Sequence, residues 1–116
     1  MFTLRIKLAG VSHCQDAIRR FGEPGMVYRL FHETDNEWDP NAVSVQLGDI
    51  HIGYIPRKQA GIIATLLDMD VPLMAKCYKL NTHFIPECDR IGMTIDIFEQ
   101  EVSNEKTRQT MVGSTI

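Results

Sequence analysis

The feature that most constrains the fold of this chain is a polar stretch at residues 33–42, which reads Glu-Thr-Asp-Asn-Glu-Trp-Asp-Pro-Asn-Ala. Short apolar runs precede it at 26–31 and follow it at 43–47, and both have the composition of strands. Pro40 fixes its own φ angle and favours an extended residue before it, while the short polar side chains on either side can hydrogen-bond the backbone. The stretch is therefore predicted to be a stiff loop between two strands, called here the 33–42 loop.

The only tryptophan of the chain, Trp38, lies in the middle of this polar loop, next to Asp39. Two interpretations are open. The ring can close over the edge of the core, since a tryptophan beside an Asp-Pro-Asn turn has a purely local explanation. It can also form part of a binding surface, because a large ring beside a carboxylate on a stiff loop is an unusual arrangement for a connector.

The composition describes one soluble globular domain with a slightly acidic balance. The chain has 116 residues, of which 44% are hydrophobic and 23% are charged. Its formal net charge is −3 at pH 7, which excludes a global electrostatic footprint for duplex nucleic acid. Any contact with nucleic acid is therefore expected to be local and small.

No segment predicts a membrane span or a secretory signal. The longest apolar cluster, at residues 62–67, falls far short of the roughly 20 residues that a transmembrane helix needs. The N-terminal strand carries Arg5 and Lys7 and contains no apolar core of a signal peptide. No membrane partner is expected.

The cysteines point to a reducing compartment. Cys14, Cys77 and Cys88 are widely spaced and odd in number, which favours reduced thiols in a cytoplasmic protein over a disulfide framework. Together with the histidines they could in principle supply a metal site, but no CxxC or HxxxH spacing is present. No metal or cofactor is therefore predicted.

Hydrophobic patterning predicts six strands and two short helices. The predicted strands are residues 2–8, 26–33, 43–47, 50–54, 71–80 and 93–98, and the predicted helices are 12–21 and about 57–68. Ser12 or Asp16 would cap the first helix, Gly48 and Asp49 would form a type II′ turn, and a loop would span 81–92. These elements favour a mostly β fold, a small OB-like or SH3-like six-stranded β-barrel with two short α-helices. Residues 1–102 are expected to form this domain, and 103–116 a polar, flexible C-terminal tail.

A second motif, Gly-Tyr-Ile-Pro-Arg-Lys at residues 53–58, spans the end of the fourth strand and the start of the second helix. Gly53 permits close backbone approach, and Pro56 suits the first turn of a helix. The helix N-terminus presents unpaired N–H groups, and Arg57 and Lys58 add cations beside them, which suits a phosphate. A capped surface helix with two solvated bases is the alternative interpretation.

Together these segments resemble the HIRAN domain. The resemblance rests on Ala-Gly-Val at residues 9–11, on the 33–42 loop, and on Ile-Gly-Tyr-Ile-Pro-Arg-Lys-Gln-Ala at residues 52–60. The helix through Leu67 and the strand from Met74 follow in the expected order, so the likeness covers about residues 2–98. The set is specific, although no single piece of it is. The resemblance implies a compact OB-like barrel, here as a stand-alone HIRAN domain.

The resemblance also implies a function, a non-catalytic module that captures the 3′-hydroxyl end of single-stranded DNA. In the best-understood member of the family, which binds such ends, aromatic rings stack on the terminal bases, an Asp reads the terminal hydroxyl, and basic residues hold the phosphates. Trp38 falls where the family places a stacking aromatic residue, Asp39 where it places the end-reading carboxylate, and Lys58 where it places a phosphate-contacting lysine. The remaining expected DNA-binding residues are Arg57, Tyr54, His13, Ser12 and, in the later loop, Phe84.

One pair of positions departs from the family pattern. The end-binding member has Arg-Tyr just after the glycine that follows the first strand, and here Ser12 and His13 stand at about those positions. Ser12 carries no charge and His13 offers a smaller stacking surface, so the expected DNA contact is weaker. Carboxylates at residues 33, 35 and 37 would limit a bound strand to a few terminal nucleotides.

Two other function classes are weighed against this one. A metal-ion nuclease is not predicted, because no acidic-lysine motif follows the acidic loop, and no Ser or Cys stands beside a credible base. A protein-interaction or inhibitor domain on the same fold is the alternative, favoured by the acidic surface and by Ser12. As a DNA-binding module, the chain is expected to be a cytoplasmic accessory protein of DNA repair or replication, from a bacterium or phage. A DNA-processing protein is a further candidate partner.

Overall fold

The computed structural model of the chain describes residues 3–82 and 90–100. These residues form six strands and two α-helices. The strands are β1 (Thr3–Lys7), β2 (Val27–His32), β3 (Val43–Leu47), β4 (Ile50–Tyr54), β5 (Leu73–Thr82) and β6 (Ile91–Glu99), and the helices are α1 (Gln15–Phe21) and α2 (Arg57–Asp68). A short 3-10 turn, Val11–His13, precedes α1.

The strands form one antiparallel sheet in the order β1-β6-β5-β2-β3-β4, which curls into a half-barrel. Just beyond β1 the chain reaches the opposite edge strand, where the Ala9 amide donates to the Tyr54 carbonyl at 2.8 Å and the Tyr54 amide donates back at 2.9 Å. We call this junction the seam. A Cβ at Gly53 would lie 3.1 Å from the Ala9 carbonyl oxygen, so glycine allows the two backbones to meet there. The predicted mostly β, barrel-like fold with two helices is confirmed.

The core fills the inside of the curled sheet. Helix α1 packs against β4 and β6, and α2 packs against β2 and β3. Ile18 of α1 and Ile63 of α2 are fully buried in one cluster with Ile95 and Ile97 of β6. The ring of Tyr28 is also fully buried, and its hydroxyl donates to the Phe21 carbonyl at 2.9 Å, which ties the end of α1 to the sheet.

The hairpin between β3 and β4 agrees with the turn that the sequence predicts. Leu47 pairs with Ile50, which leaves a two-residue loop. Gly48 has a φ of 61°, whereas Asp49 does not have a positive φ, as a type II′ turn requires. Helix α2 also begins and ends where the sequence predicts, at Arg57 and Asp68.

The first helix differs from the prediction of residues 12–21. It begins only at Gln15, since Gly10, with a φ of 67°, starts the separate 3-10 turn that contains Ser12. Neither predicted cap residue is used, because no side chain caps α1 at its N-cap position. The start of the helix is held instead by Gln15, which donates to the Ile91 carbonyl at 2.8 Å and accepts from the Ile91 amide at 2.7 Å.

Strands β5 and β6 are also displaced from their predicted bounds. Residue Asp70 adopts a positive φ of 64°, and the Leu73 amide donates to the Val71 carbonyl, so β5 begins at Leu73 instead of residue 71. At the other end, both strands extend into the predicted 81–92 loop, because residues 81 and 82 pair with residues 92 and 91. The polar residues Asn81 and Thr82 hide the extension of β5 in the sequence.

Three further expectations concern the cysteines, a metal site and a membrane span. Cys14 and Cys77 are buried free cysteines, and burial raises the pKa of both thiols, whereas Cys88 lies outside the described residues. Within residues 3–82 and 90–100, no three potential metal-ligating side chains cluster together. Over the same ranges, no helix combines the length and the apolar character that crossing a membrane requires.

Candidate functional site

The 33–42 loop is held in shape by the side chain of Asn36. Its Oδ1 atom accepts hydrogen bonds from the amides of Trp38 and Asp39, both at 2.9 Å. Its Nδ2 atom donates to Glu33 Oε1 at 3.0 Å. At the base of the loop the Glu33 amide donates to the Ala42 carbonyl at 2.8 Å. The predicted stiffness of the loop therefore has a specific cause, an Asx-type turn that fixes the two residues after Asn36.

The indole ring of Trp38 projects from this loop into solvent. It is 80% exposed, the most exposed of the large apolar side chains in the described part of the chain. A tryptophan that covered the core edge would be largely buried, so that interpretation is wrong. The loop backbone is fixed by Asn36 while the ring stays accessible to solvent.

One carboxylate oxygen of Asp39 accepts a hydrogen bond from the loop backbone, and the other can accept one from a ligand. Its Oδ1 atom accepts from the Asn41 amide at 2.9 Å, and its side chain is 22% exposed. Its Oδ2 atom lies 3.6 Å from Nε of Arg57, and the same guanidinium donates to the Trp38 carbonyl at 3.3 Å. Oδ2 therefore retains capacity to accept a hydrogen bond from a ligand, beside a cation that can neutralise a nearby phosphate.

Tyr54 forms one wall next to the seam. Its hydroxyl donates to Glu33 Oε1 at 2.9 Å. Burial, and then the hydrogen bond to Glu33, raise the pKa of Tyr54 to about 12, so the phenol stays protonated at neutral pH. Gly10 approaches the ring closely, since a Cβ at this position would lie 3.2 Å from Tyr54 Cδ2. Tyr54 thus offers a ring surface, while its hydroxyl braces the 33–42 loop.

The residues described above form the walls of an open groove with a volume of about 520 Å³. The residues that line it come from the seam, the 33–42 loop and the start of α2; they are Ala9, Gly10, His13, Asn36, Trp38, Asp39, Ala42, Tyr54, Ile55 and Arg57. Five of the eight residues predicted from the sequence are among them: His13, Trp38, Asp39, Tyr54 and Arg57. Ser12 and Lys58 are exposed nearby but do not line the groove, and Phe84 lies outside the described residues.

Sequence reasoning missed two residues that shape the site. Asn36 could have been found, because an asparagine side chain often accepts a hydrogen bond from the backbone amide two residues further along the chain and so marks a turn. His32 carried no local signal. Its Nε2 lies 2.8 Å from the Pro40 carbonyl oxygen and its Nδ1 lies 2.8 Å from Asp68 Oδ1, so its ring connects the 33–42 loop to the end of α2. The bond to Asp68, and then the one to Pro40, raise the pKa of His32.

Comparisons with known proteins agree with this architecture. The crystal structure of a protein from Lactobacillus plantarum matches with a TM-score of 0.60 and 23% identity, over 85% of this chain and 100% of that one. The crystal structure of the HIRAN domain of human HLTF matches with a TM-score of 0.56 and 15% identity, over 94% of this chain and 85% of that one. A comparison with curated protein sequences gives no significant match. The family model of the HIRAN domain matches residues 1–97. The chain therefore belongs to the HIRAN domain family.

Proposed function

We propose that the groove binds the 3′-hydroxyl end of single-stranded DNA and that the chain is a non-catalytic binding module. The observation that carries the proposal is the exposed ring of Trp38, held by a rigid turn beside Asp39 and Arg57 in one groove. Membership of the HIRAN family and the structural likeness to the HIRAN domain of human HLTF support it.

The chemistry of the groove suits a terminal nucleotide. A base stacked on the indole of Trp38 would contribute about 1–3 kcal/mol and would tolerate any sequence. The terminal hydroxyl would donate to Oδ2 of Asp39, the oxygen that no amide occupies. A carboxylate repels a terminal phosphate, so Asp39 would favour a free 3′ end over a blocked one.

The cations and the carboxylates of the site set how far a strand can extend. Arg57, beside Asp39, would contact the first phosphate, and Lys58 in the first turn of α2 would contact the next one. Asp35 and Glu37 are exposed on the same loop as Trp38. Their charges would repel a longer strand along this side, so the groove would hold a few terminal nucleotides.

The proposal is tested by fluorescence anisotropy with a short labelled strand that ends in either a 3′-hydroxyl or a 3′-phosphate. Trp38→Ala should weaken binding of the hydroxyl strand about tenfold or more. Asp39→Asn should remove the preference for the hydroxyl end, because the amide no longer repels phosphate. Ile62→Ala is the matched control, since it shortens another exposed apolar side chain, on α2. Equal binding of both strands by the unmodified protein would contradict end capture.

A second candidate function is favoured by the charge around the same ring. Glu33, Asp35 and Glu37 place carboxylates in the loop that carries the exposed Trp38, a combination that suits a basic protein partner with an aromatic anchor. Under this alternative, neither DNA strand binds in the groove, whereas a lysine-rich peptide binds in a manner that Trp38→Ala abolishes.

A further inference from the structure

The outward side of strands β1, β6, β5 and β2 concentrates positive charge. We call it the outer sheet face. Its cations are Arg5, Lys7, Lys76, Lys79 and Arg29. Asp96 of β6 is the one carboxylate on this face in the described part of the chain. A surplus of cations on one face is unexpected in a chain whose formal net charge is −3.

Strand register places these cations side by side. Arg5 and Lys76 lie directly opposite Asp96 on its two neighbouring strands. Lys7 and Lys79 flank Thr94 in the same way. Because adjacent strands are about 4.8 Å apart, each row spans three strands, or about 10 Å. The cations therefore form a compact field that a single flexible anionic chain can contact at several points.

A β-bulge adds an aromatic ring to the centre of this field. The register of β5 against β6 shifts between Cys77 and Lys79, which leaves Tyr78 without a pairing partner. The side chain of Tyr78 is 45% exposed, and the Arg5 guanidinium carbon lies 3.5 Å from the centroid of its ring. Bulges commonly redirect a side chain in this way at functional surfaces.

Arg5 is fixed in place over that ring. Its Nε donates to Asp96 Oδ1 at 2.7 Å, and its Nη2 donates to Asp96 Oδ2 at 3.0 Å. The side chains of Lys7 and Lys79, in contrast, are exposed and make no hydrogen bond or ion pair within residues 3–82 and 90–100. Asp96 thus pairs with Arg5 and orients its guanidinium. The side chains of Lys7 and Lys79 have no such partner within these ranges and can contact a ligand.

We propose that the outer sheet face is a second binding surface, which takes the backbone of a single-stranded nucleic acid. Lys7, Lys76 and Lys79 would contact phosphates, and a base would stack on the Tyr78–Arg5 pair. A nucleic-acid strand presents repeated negative charge together with flat rings, and both match this face. An acidic polypeptide would match the positive charge of this face, but it does not carry a flat ring beside each of its negative charges. The proposal is independent of end capture in the groove, since it needs no free 3′-hydroxyl.

The test uses a labelled thymidine strand of about 15 nucleotides that carries a 3′-phosphate, so that the groove is not the favoured site. Fluorescence anisotropy measures affinity as the salt concentration rises. The double variant Lys76→Gln, Lys79→Gln should bind about tenfold more weakly, and the slope of log affinity against log salt should fall by about 1.4. Arg20→Gln on α1 is the matched control, because it removes an exposed cation outside the sheet.

Tyr78 provides a second, uncharged readout. Tyr78→Ala should weaken binding of the same strand about tenfold without changing the salt slope, and Tyr78→Phe should bind as the unmodified protein does. Trp38→Ala should leave binding of this strand unchanged, which separates the outer sheet face from the groove. Unchanged affinity in the double lysine variant would overturn the proposal. Competition by polyglutamate as effective as that by unlabelled strand would also overturn it, in favour of an acidic protein partner.

Discussion

The groove and the outer sheet face are built by opposite means. The groove depends on a loop that is held by side-chain bonds to its own backbone, with Asn36 fixing the positions of Trp38 and Asp39. The outer sheet face depends on strand register, which aligns Arg5, Asp96 and Lys76 across three strands. A loop built in this way can be released by one substitution. A face built by register keeps its backbone arrangement when one of its side chains is replaced.

The two regions also differ in charge. Carboxylates surround the groove at residues 33, 35, 37 and 39, whereas cations dominate the outer sheet face. The net charge of −3 is a sum over the whole chain and reflects neither the acidic groove nor the basic outer sheet face. Overall charge is therefore a poor guide to the partners of a small domain whose charges are segregated on different faces.

The largest expected difference between the two regions follows from Asn36→Ala. The substitution removes three hydrogen bonds that hold the 33–42 loop, so the free energy of unfolding should fall by about 2 kcal/mol. Binding of a strand with a 3′-hydroxyl should weaken tenfold or more, because Trp38 and Asp39 lose their fixed positions. Binding of the 3′-phosphate strand to the outer sheet face should be unchanged. Chemical denaturation and anisotropy measure the two effects.

Asn41→Ala is the matched control for this variant. It is the same substitution in the same loop, but the Asn41 side chain makes no hydrogen bond within the part of the chain that the structure describes. If both variants lost the same affinity for the hydroxyl strand, the turn at Asn36 would not be what positions the site.

A smaller difference is expected with pH, through His32. Both of its ring nitrogens face acceptor oxygens, on Asp68 and Pro40, so the protonated ring satisfies both contacts and the neutral ring only one. The hydrogen bonds to Asp68 and Pro40 raise the pKa of His32, with Asp39 adding a weaker attraction. A raised pKa in the folded state gives stabilisation that is complete below the ordinary value of about 6.5 and is lost as pH rises through the folded value.

The free energy of unfolding should therefore decline above about pH 6.5 in the unmodified protein. This decline should be absent in His32→Gln and smaller in Asp68→Asn, which keeps the Pro40 contact. Denaturation at a series of pH values measures it, and affinity for the hydroxyl strand should decline in parallel. Binding of the 3′-phosphate strand to the outer sheet face should stay constant, because His32 contacts the 33–42 loop and the end of α2 instead of that face. A decline of the same size in His32→Gln would show that another group is responsible.

The smallest expected effect concerns Asp96 on the outer sheet face. Asp96→Asn removes the carboxylate that opposes an anionic strand, so affinity for the 3′-phosphate strand should rise about two- to threefold at low salt. Asp16→Asn is the matched control, because Asp16 is also paired with an arginine but lies on α1. An equal rise in both variants would mean that net charge matters and that the outer sheet face does not.

Elements with local signals could be predicted from the sequence. The β3–β4 turn followed from Gly48, and α2 followed from Pro56 and an apolar spacing that repeats every three to four residues. The start of α1 could not, because the side chain of Gln15 reaches Ile91 on a distant strand. A contact between residues so far apart in the chain leaves no trace in a short window of sequence.

The same distinction applies to the groove and the outer sheet face. Trp38 and Asp39 were found because they lie together on one loop, and the motif at 53–58 supplied Tyr54 and Arg57. His32 was missed because its partner Asp68 is on another element. The outer sheet face was missed because its cations come from separate strands, and the bulge at Tyr78 decides which of them share a side.

The seam makes the groove easier to lose by local opening than the outer sheet face. It joins residue 9 to residue 54 through one reciprocal pair of hydrogen bonds, whereas continuous strand ladders hold the outer sheet face, so the seam should open at a lower free energy. Ala9, Gly10 and His13 reach the groove only when the seam is closed. A molecule with an open seam would thus retain its outer sheet face and lack its groove. Occupancy of the groove would then report that the seam is closed.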